Sequence, residues 1–190
     1  MKKGFTLIEL LVVISIISLL SSVALGTLST TRARAENTKR NGVILQYEKA
    51  LALYAANHGG EFPAPTDNPN NPIACLGDYP GGTCGRNDQV SVSSSLKSDL
   101  SPYLQGFPPV STIPVTFLNN PDPWVGAIYV GCDTSNPLND CFKPYIFWYL
   151  QGANESCAPG IAIPTGFDPS TQQNVGEDPE ATGCLFMPRI

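Results

Sequence analysis

From Leu10 to Leu28 the chain carries no charged residue, and this apolar run follows a short basic leader and one early acid in MKKGFTLIELLVVISIISLLSSVALG. No other feature constrains the fold as strongly. Its length matches the roughly 20 helical residues that cross a bilayer. Its serines and its single threonine can bond back to helix carbonyls. Lys2 and Lys3 orient such a span with the N-terminus in the cytoplasm. Glu9 lies just inside the apolar stretch. An ion at the bilayer centre costs about 2.5–3.5 kcal/mol on insertion scales, so an acid placed there points to function. A secretory signal peptide is the competing reading, with Ala24-Leu25-Gly26 offering small residues for cleavage. Its apolar centre normally spans only about 7–15 residues, however, and it has no use for Glu9.

Beyond Leu28 the pattern stays helical but becomes amphipathic. Ile44, Tyr47, Leu51 and Tyr54 recur at three- and four-residue intervals and form one apolar stripe, with Arg40, Glu48 and Lys49 falling off it. No proline interrupts Met1 to Glu61, so one helix is expected from about Thr6 to Asn57. Gly26 and Gly42 weaken it by about 1 kcal/mol each relative to alanine. His58-Gly59-Gly60 followed by Pro63 is a stop signal, and a histidine at that end suits the helix dipole.

The remainder holds nearly all of the 18 prolines and 17 glycines, which predicts a loop-rich head. Residues 61–95 read as a connecting loop, SLKSDLSPYL (95–104) as a short helix, and Ile113–Leu118, Trp124–Val130, Tyr145–Leu150 and Gly160–Ile163 as strands. Residues 164–190 have little to bury and read as a surface loop tied down by Cys184. The expected fold class is α+β: a long N-terminal helix packed in two layers on a small antiparallel sheet, with disulfide-stapled loops.

Six cysteines, Cys75, Cys84, Cys132, Cys141, Cys157 and Cys184, all follow the apolar segment. An even count outside the anchor suggests disulfides in an oxidising compartment. The repeated spacing 75/84 and 132/141 favours those two pairs and leaves 157 with 184, one of about fifteen possible connectivities. Zinc is the rival, but the sequence has no C-x-x-C and one histidine. Net charge is −5, unevenly spread. Arg32, Arg34, Lys39, Arg40 and Lys49 make the second part of the helix basic; the stretch at 32–40 could touch anionic lipid or a neighbouring acidic subunit, with a solvated face as the plainer reading, while the head is acidic and lacks a basic footprint for nucleic acid. No H-E-x-x-H, G-x-S-x-G or phosphate-cradling glycine loop is present, so an enzyme is not expected.

Gly4-Phe5-Thr6-Leu7-Ile8-Glu9, behind a basic leader and before an apolar run, resembles the processing motif of type IV pilins and type II secretion pseudopilins. YAANHGGEFP resembles the family's helix exit, and LSPYL and NPDPWVGAIYV resemble, more loosely, a pseudopilin head. The resemblance implies cleavage by a prepilin peptidase between Gly4 and Phe5, N-methylation of Phe5, and a leader at 1–4. It implies a transmembrane and filament-core helix at 5–28, an amphipathic half at 29–60 and a head at 61–190. Gly4, lacking a Cβ, suits a narrow peptidase site. In assembly, Glu9 of one subunit would meet the Phe5 ammonium of the next, a head-to-tail contact that propagates a helical filament. The alternative for Glu9 is an acid that snorkels from a simple anchor.

The implied partners are further copies of the chain, the peptidase, an assembly platform, a cytoplasmic ATPase and the membrane. The implied location is the cytoplasmic membrane with the head outside, then a surface or periplasmic filament. Major subunit, pseudopilin and minor tip adhesin share this stem. The helix-breaking proline of many family members is absent near Gly26. Asp122-Pro123-Trp124 is similar to an element preceding a calcium loop in some pseudopilins. The weak candidate ligands here are Asp133, Asn139 and Asp140, between Cys132 and Cys141, with an ordinary turn around a buried Trp124 as the simpler reading. Glu177, Asp178 and Glu180 read as a solvated acidic loop. No cofactor is expected beyond that calcium candidate.

Overall fold

The computed structural model describes residues 6–67, 72–118, 121–131, 144–163, 167–168, 173–174 and 178–188, and of 23–27, 167–168 and 173–174 only the backbone. Gly4, Phe5, Cys132, Asp133, Asn139, Asp140, Cys141 and Glu177 lie outside the described residues. Contacts divide the chain into two compact units, residues 1–36 and 37–190.

The first unit is the N-terminal part of α1 (Leu7–Asn57). Its apolar side chains face outward: Leu7 is 83% exposed and Ile8 76%. The helix satisfies its own polar groups, since Ser15, Ser18 and Ser22 donate to the carbonyls of Val12, Ile14 and Leu19, each at 2.8 Å. Among the described residues no helix is long and apolar enough to cross a membrane.

In the second unit the rest of α1 packs on a five-stranded antiparallel sheet. Its strands, in order across the sheet, are β1 (Ile73–Cys75), β5 (Ala127–Val130), β6 (Tyr145–Gln151), β10 (Ala181–Phe186) and β7 (Ile161–Ile163). A three-stranded sheet orders β3 (Val90–Ser91), β2 (Thr83–Arg86) and β4 (Trp124–Val125), and β8 (Phe167–Asp168) pairs with β9 (Gln173–Asn174). α2 (Ser94–Leu100) begins at Ser93, whose Oγ accepts from the Leu96 amide at 3.1 Å, and runs into a 3₁₀ turn at Ser101–Tyr103.

Alternation along β6 explains both layers. Ile146, Trp148 and Leu150 join Ile44, Tyr47 and Leu51 of α1, whereas Phe147 and Tyr149 join Trp124, Val115, Cys84 and Tyr79 on the other face. A strand buried on both faces reads as a continuous apolar run, as YIFWYL does. The head is therefore three-layered rather than two-layered around β6.

Several segments differ from expectation. Ile113–Leu118 contributes only an isolated bridge, Val115 to Trp124. The Trp124–Val130 strand is broken at Gly126, whose φ of 77° permits the bend, where a Cβ would strike the Tyr79 ring. The region expected as a loop at 61–95 holds β1, β2 and β3. The expected C-terminal loop contains β10, which pairs with β6 over six residues, from Ala181 opposite Gln151 to Phe186 opposite Ile146. Small side chains fit there because Gly183 lies between Ile163 and Tyr149.

Candidate assembly interface

At its start, α1 is closed by a reciprocal pair. Glu9 Oε2 accepts from the Thr6 amide at 2.9 Å and from Thr6 Oγ1 at 2.8 Å, while the Glu9 amide donates back to Thr6 Oγ1 at 3.3 Å. This is a capping box, in which two otherwise orphaned amides of the first turn are satisfied by two side chains. Thr6-x-x-Glu9 is visible in the sequence as a capping signal, so Glu9 has a local role besides any intermolecular one. Both Thr6 bonds fall on Oε2, so among the described residues Oε1 keeps its acceptor capacity. Around it, Leu7, Ile8, Leu10 and Leu11 form an exposed apolar surface.

The second unit holds its part of α1 through polar groups that hydrophobic periodicity misses. Arg40 is not on a solvated face. It is 2% exposed, and it donates to Asn37 Oδ1 at 3.2 Å, to Ser111 Oγ at 3.5 Å and to the Ile113 carbonyl at 2.6 Å. Asn37 bonds both backbone groups of Gln151, and the Gln151 side chain extends to Thr116 and the Glu180 carbonyl. Asn41 donates to the Ser156 carbonyl at 2.8 Å and accepts from Trp148 Nε1 at 3.2 Å. Tyr47 donates to the Pro108 carbonyl, and burial holds its hydroxyl far above the usual phenol range.

At the other end, the Gly60 amide reaches back to the Ala55 carbonyl at 2.8 Å, and Gly59 and Gly60 supply the positive φ that this closure requires. His58 follows the last helical residue rather than lying in the last turn. Its Nδ1 lies 2.8 Å from the Tyr54 carbonyl and its ring stacks on Tyr54 at 3.8 Å.

Cys75 is bonded to Cys84 and Cys157 to Cys184. Trp124 is buried and donates to the Gly126 carbonyl at 3.0 Å. Asp178 is also buried, in contrast to the expected solvated loop, and accepts from the Glu180 amide at 2.9 Å in the turn before β10. Among the described residues no three His, Cys, Asp or Glu side chains gather where they could hold a metal ion.

The family model of the prokaryotic N-terminal methylation motif matches residues 1–25. The N-terminal part of the chain is similar to that of type IV pilins. A fimbrial protein of Neisseria meningitidis serogroup A is 36% identical over 81 residues, which cover 43% of this chain and 46% of that protein. Prepilin peptidase-dependent protein D of Escherichia coli K12 is 39% identical over 59 residues, covering 31% and 40%. Type IV major pilin protein PilE1 of Neisseria gonorrhoeae is 39% identical over 59 residues, covering 31% and 36%. The chain thus spans less than half the length of these relatives, and no solved structure matches it. An α+β head behind a long N-terminal helix agrees with this likeness.

Proposed function

We propose that this chain is the structural subunit of a type IV pilus-like filament. The observation that carries the reading is an N-terminal methylation motif running directly into a helix whose apolar residues are exposed. Such a surface requires lipid before assembly and neighbouring copies afterwards. On this reading a prepilin peptidase cuts between Gly4 and Phe5 and methylates Phe5, which retains its ammonium charge. Residues 5–28 anchor the precursor in the cytoplasmic membrane with the head outside, and later pack the filament core. Glu9 of one subunit pairs with the Phe5 ammonium of the next, so assembly is head-to-tail and open-ended. An assembly platform and a cytoplasmic ATPase supply the extraction. The head carries no proposed catalytic role.

Relatives named as fimbrial proteins and major pilins favour a pilus over a secretion pseudopilus. Shearing cells and weighing the released subunit tests the proposal. An abundant filament fraction whose subunit begins at methylated Phe5 supports it. A soluble product beginning near Thr27 refutes it in favour of a signal peptide.

A further inference from the structure

One groove of the head matches no role described so far. It lies between the helix and the β7 edge of the main sheet, with a volume of about 300 Å³. Its walls include Ala52, Ile161, Leu185, Met187 and Pro188, and Glu48 is its single charged lining residue. Ile161 is 65% exposed on β7, the outermost strand, and Met187 is 51% exposed just after β10. Among the described residues the Glu48 carboxylate makes no ion pair. The groove thus asks for an apolar side chain accompanied by a cation.

The first unit presents that pair. Leu28 is half exposed and Arg32 is exposed. Standing four residues apart in a helix, they share one face about one turn apart. We propose that the groove receives a second copy of this chain, with Leu28 entering the apolar pit and the Arg32 guanidinium meeting Glu48. The two surfaces differ, so the contact is heterologous and adds subunits in one direction. This rests on the filament reading above and supplies it with a head-level contact. An arginine suits the role because its stem covers apolar surface while its planar head pairs with a carboxylate.

Charge reversal in the full-length chain, expressed in its own cells, tests the contact. Glu48→Arg and Arg32→Glu are each expected to lower the yield of sheared filaments by about tenfold, the effect of about 1.4 kcal/mol per contact. Processing at Phe5 and protease resistance of the head should be unchanged. Combining the two should restore yield to within about threefold of the parent, because the reversed pair reforms. Leu28→Cys with Ile161→Cys in one chain should give a ladder of disulfide-linked oligomers from intact filaments, because each copy donates one cysteine to each neighbour.

Normal filaments from both single variants, a double variant no better than the worse single, or cysteines that never cross-link would each overturn the contact. If a small molecule or an unrelated protein occupies the groove instead, the same rescue fails. These failures, seen with abundant parental filaments, leave the filament reading standing. Absence of parental filaments refutes that reading and this contact together.

Discussion

Asn37 replaces a neighbouring strand for Gln151: its side-chain Nδ2 donates to the Gln151 carbonyl at 2.8 Å and its Oδ1 accepts from the Gln151 amide at 3.0 Å. Asn37 is 3% exposed, and Arg40 donates to the same Oδ1. One side chain therefore couples the helix to the end of β6 and orients a buried guanidinium.

Asn37→Ala removes both bonds and strands buried partners, each of which costs about 1–3 kcal/mol when unsatisfied. The expected loss is about 2–4 kcal/mol of unfolding free energy, read from urea unfolding of the detergent-solubilised chain. A loss below about 0.5 kcal/mol, the level of an ordinary surface substitution, would show that the pair is ornamental.

Alkaline pH should unfold the head before its buried tyrosines ionise. Burial raises the pKa of Tyr47, Tyr79 and Tyr129 above the ordinary 10.0, Tyr79 to about 12. Because each folded-state value exceeds the unfolded one, the unfolded chain releases these protons first. Stability from these groups is intact below pH 10.0 and falls as pH rises toward about 12. Phenolate absorbance from these residues should therefore appear together with loss of secondary structure. Independent ionisation of all three in a folded head would contradict their burial.

How much of this was legible beforehand depended on whether a segment announced itself through apolar pattern. Tyr145–Gln151 is apolar on both faces, and Ile44, Tyr47 and Leu51 keep a helical interval, so strand and stripe are readable. Ala181–Phe186 is not, because a strand of ATGC with small side chains looks like a turn until bulky β6 residues lie beside it. Arg40 and Asn37 escape a periodicity that counts only apolar residues, although both occupy the buried face. The Thr6-Glu9 cap was present in the sequence as a motif, overshadowed by the cost of an acid near lipid.

Breaking the Cys157–Cys184 bond should loosen the pairing of β10 with its neighbours. The bond closes a separation of 27 residues, for which chain entropy gives about 3.5 kcal/mol. Replacing both cysteines with serine should lower unfolding free energy by about 2–4 kcal/mol in the same denaturation assay. It should also speed amide exchange at Gly183–Leu185, which pair with β7. Unchanged exchange would show that hydrogen bonding and packing alone hold that edge.

Thr6→Val deletes the hydroxyl that both donates to and accepts from Glu9. Loss of a helix cap costs about 1 kcal/mol, and the first-turn amides should exchange several-fold faster in detergent micelles. Thr6→Ser should behave like the parent because it keeps the hydroxyl. Equal protection in the valine variant would remove the capping account of this turn.

High-resolution density from an assembled filament tests the central claim most directly. The account predicts the Phe5 ammonium of one subunit within about 4 Å of a Glu9 carboxylate oxygen of its neighbour, the reach of an ion pair. It further predicts that this oxygen is the Oε1 left unused by Thr6. Density placing the two groups well apart, with no bridging atoms between them, would contradict it.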